Sequence, residues 1–161
     1  MALKGKVGAE IEIHSPASKF FDLIVTQIHE IQNISDAVND IKLHQGDWHG
    51  VGSHSVKHWT FTLGILHIYI YKPSNIGGKV VNCKEHFEEV DHANKILRYN
   101  VFDGHASELY KMLNGKLKVV EKGEGALVKY EKLHEAIPPP QDYLDFVIKV
   151  FKDIDAHLLK A

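Results

Sequence analysis

The end of the chain constrains the fold most. Three prolines, Pro138 to Pro140, stop whatever precedes them, and Tyr143, Phe146, Val147, Val150, Ile154 and Leu158 then recur at three- and four-residue steps. That spacing predicts a long amphipathic helix within Pro138–Leu159. Gln141, Asp142 and Asp145 crowd its first turns, where carboxylates suit the positive end of a helix dipole. A second row, Leu144, Ile148 and Phe151, makes the helix apolar on more than one side. Such a helix must lie against a large apolar surface. Almost everything before it reads as strand, so that surface is one curved sheet.

Val7, Ala9, Ile11 and Ile13 alternate with charged and small residues, the pattern of a half-buried strand. Ser15-Pro16 then opens a helix, with Ser15 as N-cap and Pro16 at the first helical position. Phe20, Phe21, Leu23, Ile24 and Ile28 form its buried face, and a second short helix is expected over Ile28–Val38. Ile41 and Leu43 mark the next strand, which runs into the glycine-rich segment Gly46–Gly52. No Gly-Lys-Ser/Thr follows and no helix begins there, so the segment reads as a hairpin loop rather than a phosphate loop.

Lys57, Trp59 and Phe61 share one face of the following strand. Leu63–Ile76 is strongly apolar and rich in β-branched and aromatic residues, and reads as strand. Pro73-Ser74-Asn75 and Gly77-Gly78 then turn the chain back. Val81, Cys83, Glu85 and Phe87 share a face of the next strand; Leu97, Tyr99 and Val101, then Leu113, Leu117 and Val119, do so in the two after it. Glu121–Gly125 is a hairpin turn before a last strand, Leu127–Leu133. The order is strand, two helices, six or more hairpin-linked strands, and a long helix. This is an α+β chain whose antiparallel sheet encloses a cavity against the helix, organised as a single domain over residues 1–161.

Lys and Arg together number 19 and Asp and Glu 21, for a net charge of −2; without a basic excess, nucleic acid is not an expected partner. The lone Cys83 cannot form an internal disulfide and fits a reducing compartment. No signal peptide or membrane span is expected. Twelve histidines invite a metal reading, yet His54 and His58, or Cys83 and His86, are poor chelate pairs on strands, and no metal or cofactor motif is present. No nucleophile-elbow or dinucleotide pattern occurs either.

The inward faces are mostly apolar: Trp59, Phe61, Cys83, Phe87, Leu97, Val101 and Leu117, met by Tyr143, Phe146, Val147 and Val150 of the helix. Such walls suit a small hydrophobic ligand. Three polar side chains interrupt them and are the candidate catalytic groups: Glu85, Lys57 and Tyr99. Glu85 on an apolar face has either a raised pKa suited to proton transfer, or a partner in Lys57, or an outlet to solvent. Lys57 activates a carbonyl if desolvated, or stays solvated. Tyr99 is otherwise a core tyrosine with a satisfied hydroxyl.

Gly46-Asp47-Trp48, Val51-Gly52-Ser53, Ser55-Val56-Lys57-His58-Trp59, Tyr99-Asn100-Val101-Phe102-Asp103-Gly104 and Tyr130-Glu131-Lys132 together resemble the plant major latex protein family. That family lies within the birch-pollen-allergen superfamily, related to START lipid-transfer domains. The resemblance covers nearly the whole chain. It implies a helix-grip fold: a seven-stranded antiparallel sheet around a C-terminal helix, with two short helices closing one end. It also implies a cytoplasmic plant protein, associated with defence and stress, that binds a steroid, terpenoid, alkaloid or hormone-like molecule without a cofactor. The alternative it carries is a cofactor-free cyclase or isomerase of specialised metabolism, using Glu85, Lys57 or Tyr99. Leu63–Ile76 reads as longer than the family's hairpin and Asn114–Ala126 as shorter; the former offers a surface for dimerisation of an otherwise monomeric chain.

Overall fold

The computed structural model describes residues 4–63, 79–110, 112–135 and 141–160. Seven strands among them form one antiparallel sheet: β1 (Lys4–Ile13), β2 (Val38–Gly46), β3 (Ser55–Leu63), β4 (Lys79–Asp91), β5 (Ile96–Phe102), β6 (Leu113–Lys122) and β7 (Gly125–Glu135). Their spatial order is β1-β7-β6-β5-β4-β3-β2. Neighbours in sequence from β2 to β7 are neighbours in space, as hairpin connections require. The exception is β1, which pairs with β7 from Lys4↔Glu135 to Ile13↔Ala126. The segment after Leu63, including the expected strand to Ile76 and its turn, lies outside the described residues, as does the proline run.

The helices are α1 (Ala17–Thr26), α2 (Ile31–Ile34), α3 (Gly104–Leu109) and α4 (Gln141–Lys160). The last bears out the periodicity: Tyr143, Val147, Val150 and Ile154 are buried along one side, with Leu144 and Phe151 beside them. Phe151 meets Phe20 of α1 edge-on, with centroids 5.6 Å apart.

Two local expectations are corrected. Ser15 does not cap α1, whose cap position is Pro16 and has no side-chain hydrogen bond. The Ser15 hydroxyl instead donates to Asp155 Oδ1 on α4 at 2.6 Å. The second helix ends at Ile34, after a 3-10 turn at Ile28–Glu30, and Val38 already belongs to β2. Ser35 turns extended there, and its hydroxyl donates to Asp153 Oδ2 of α4 at 2.6 Å. In both cases a small polar residue that suits a local cap serves a distant partner. Sequence reading also missed α3, a six-residue helix entered through positive φ at Asp103 and Gly104.

Asp155 gathers three donors. The backbone N–H of His14 lies 3.1 Å from both of its oxygens, and the Ser15 N–H donates to Oδ1 at 2.9 Å, beside the hydroxyl. Ser15 is fully buried and Asp155 nearly so. Burial works to raise the carboxyl's pKa, but the hydrogen bonds from Ser15 and His14 outweigh it and hold the group below the ordinary value of 3.8. A lowered folded value stabilises the protein above pH 3.8, and that stabilisation is lost as pH falls through the folded value. Asp155→Ala strands the two buried donors of Ser15 and the part-buried N–H of His14 and is expected to cost about 2–4 kcal/mol, with Asp155→Asn costing less because one acceptor remains. Urea unfolding at neutral pH checks this, and an Asp155→Ala midpoint equal to the parent's refutes it.

Candidate functional site

The sheet curves around α4 and leaves a cavity of about 90 Å³ between them. The walls follow from strand alternation. Pairing sets Trp59 opposite Cys83, Glu85 opposite Val101, and Leu97 opposite Leu117, so inward side chains fall into rows across the sheet. The structure brings together on this wall Trp59, Phe61, Cys83, Phe87, Leu97, Val101 and Leu117 from the sheet, and Tyr143, Phe146, Val147 and Val150 from α4. Ile24, Ile28 and Ile31 close one end. Phe146 is half-buried and lies over Phe61, with centroids 4.5 Å apart.

The three polar candidates part company. Glu85 and Tyr99 line the cavity; Lys57 does not. Lys57 is wholly buried behind the wall, its Nζ 3.8 Å from the Phe87 ring, 3.8 Å from Glu85 Oε1 and 3.4 Å from Ser55 Oγ. Burial pushes Lys57 down, against the pull of Glu85. Burial likewise pushes Glu85 up, against Lys57, Lys132 and the neighbouring Trp59 indole N–H. Both directions favour neutral partners over an ion pair, consistent with a contact too long for a charge-assisted hydrogen bond. Glu85 Oε1 and the indole N–H of Trp59 are both buried without a hydrogen-bond partner. Cys83 is inert by the same physics, its thiol pushed up to about 12 by burial.

Lys132 is a cavity-lining residue that the sequence reading did not name as a site candidate. It lines the cavity at 2% exposure, and its Nζ sits 5.2, 5.8 and 5.9 Å from the ring centres of Tyr143, Tyr99 and Tyr130. Burial pushes it from 10.5 down to about 8, with Cys83 and Glu85 pulling the other way. Gly115 makes this arrangement possible. It pairs with Tyr99 on β5 and with Lys132 on β7. A Cβ there would lie 2.2 Å from Tyr99 Cζ. The missing side chain lets the Tyr99 ring lie across β6 and its hydroxyl hydrogen-bond that of Tyr130. At the other end, Tyr143 OH bonds His105 Nδ1 of α3 at 2.7 Å. No group of three or more His, Cys, Asp or Glu among the described residues is arranged to hold a metal ion.

The model of the pathogenesis-related protein Bet v 1 family matches residues 2–161. The chain belongs to that family. Relatives include MLP-like protein 43 of Arabidopsis thaliana, 30% identical over 98% of this chain and 95% of its own length. MLP-like protein 423 of the same plant is 31% identical over 99% and 97%. Among solved structures, major latex-like protein 151 of Panax ginseng superposes with a TM-score of 0.83 at 30% identity, covering 98% of this chain and 99% of that one. The resemblance to major latex proteins and the helix-grip architecture therefore stand. Truncated norcoclaurine synthase from Thalictrum flavum shares the fold at a TM-score of 0.75, with 15% identity over 99% of this chain and 96% of that one.

The Lys132 ammonium is a destabilising charge. A drop from 10.5 to about 8 corresponds to about 3 kcal/mol. The cost is complete below pH 8 and fades as pH rises to 10.5. Lys132→Met is therefore expected to stabilise the protein by up to about 3 kcal/mol at pH 7, with the gain gone above the ordinary lysine pKa. Paired melts across that range measure it, and a loss of stability at pH 7 contradicts it.

Proposed function

We propose that this protein binds a small hydrophobic molecule bearing a single polar group, held between α4 and the sheet. One observation carries the reading: an apolar cavity whose wall presents a buried carboxyl group, Glu85, whose Oε1 makes no hydrogen bond, and an amine, Lys132. Most of the ligand meets carbon, while these groups fix its orientation. The void is smaller than the roughly 300 Å³ at which drug-sized sites begin. A larger ligand enters as Phe146 swings from Phe61. The buried Cys83 supports a cytoplasmic location, where no helix among the described residues is long and apolar enough to cross a membrane. The terpenoid, steroid, alkaloid or hormone-like ligands and the defence role of the major latex resemblance belong to the same reading.

A second reading, a cofactor-free isomerase or cyclase, is favoured by Glu85 itself. A buried carboxyl with a raised pKa and a free oxygen is equipped to pass a proton. Native mass spectrometry of the chain incubated with a hydrophobic plant extract tests both. A compound recovered unchanged indicates a carrier. A new isomer, lost in Glu85→Gln while binding persists, indicates an enzyme.

Filling the cavity tests the location. Val150→Trp places an indole in the void and is expected to weaken binding of the neutral fluorophore N-phenyl-1-naphthylamine by about tenfold or more, roughly 1.4 kcal/mol. Titration by fluorescence measures it. Unchanged affinity in a folded Val150→Trp protein moves the ligand elsewhere.

A further inference from the structure

We propose that the polar group of the ligand is a carboxylate, and that Lys132 is its counter-ion. The inference rests on the cavity reading above and adds the chemical class of what the cavity takes.

The argument begins with a charge that has no partner. The inner face carries two lysines, Lys57 and Lys132, and one carboxyl group, Glu85. Lys57 and Glu85 lie against each other across β3 and β4, with Ser55 and the Phe87 ring completing the surroundings of Lys57. Lys132 stands apart on β7. Among the described residues no hydrogen bond or ion pair reaches its Nζ, which has only the faces of three tyrosines at 5.2 to 5.9 Å. Those distances lie at the outer edge of useful cation–π contact. A buried ammonium without an acceptor is among the costlier things a fold can hold. Its pKa of about 8 leaves it mostly protonated at neutral pH.

An entering carboxylate removes that cost. It supplies two acceptors to the ammonium in a medium where a charge-assisted hydrogen bond is strong. The other wall groups tolerate an anion. Burial pushes Glu85 toward its neutral acid, which repels a carboxylate little and offers it an O–H. An alcohol or ester of the same skeleton gains the apolar contacts and leaves the ammonium without a counter-charge.

Of the two lysines, Lys132 lines the cavity and Lys57 does not. Gly115 leaves room for the Tyr99 ring that Lys132 faces.

The test is a matched series of octanoate, octanol and methyl octanoate, titrated by displacement of N-phenyl-1-naphthylamine and by calorimetry at neutral pH. Octanoate is expected to bind about 10- to 100-fold tighter than the other two, the range of a charge-assisted hydrogen bond. Lys132→Met is expected to reduce that preference to near unity while octanol still binds, which also shows that the variant is folded. Lys57→Met is expected to keep the preference. Equal affinity for the three compounds in the parent protein overturns the inference and leaves the cavity standing. A preference that survives Lys132→Met overturns it too, and sends the carboxylate to another cation. Failure of all three to displace the fluorophore, in protein that binds it, overturns both the carboxylate and the cavity as its site.

Discussion

Everything in this molecule hangs on how one helix is held at the ends of its grip. α4 lies across the concave side of the sheet, and its polar anchors reach the segments just before α1 and just after α2. Asp155 takes the N–H groups of His14 and Ser15 and the Ser15 hydroxyl; Asp153 takes the hydroxyl of Ser35. Lys149 ties Asp36 to Asp153 at 2.9 and 3.0 Å. These contacts fix the position of α4 without using the middle of its apolar face, around Val147 and Val150. That middle is where the cavity lies. A helix anchored only by apolar packing would settle until the void closed; polar anchors at one end let the chain keep one.

Much of this was legible in the residues, and the reason is periodicity. A strand tells its two faces apart every second residue, so Val81, Cys83, Glu85 and Phe87 declare a common face before any fold is known. The α4 stripe is legible for the same reason at a longer period. The inward position of Lys57 followed too, but not its depth, since alternation gives a side and says nothing of what stands in front. Lys132 was hidden by polarity. Val128 and Tyr130 face inward, and Lys132 two residues on must share their face, yet a lysine followed by His134 reads as a solvated end of strand. The roles of Ser15 and Ser35 were beyond local reasoning, because their partners stand more than 100 residues away. α3 is too short to show a helical repeat.

The cavity is apolar in area and polar in consequence. Glu85, Lys57 and Lys132 are each displaced by burial toward the neutral form, with Glu85 opposing the shift of both lysines and both lysines opposing that of Glu85. Such a cluster is poorly suited to stabilising a fold. The proposed ligand site would give Glu85 and Lys132, which line the cavity, a use that stability does not.

The pairing of β1 with β7 has a kinetic side. Among the described residues, β1 is hydrogen-bonded in the sheet only to β7. While a ribosome makes the chain, β1 is an unpaired edge until residues 126–135 have emerged, and the carboxylate that holds its end arrives later still. Contacts this far apart in sequence are costly to close, and they slow folding. β1 therefore stays an open edge until its partner strand is made, and it carries Lys6, Glu10 and Glu12, the kind of charges that discourage pairing with another chain.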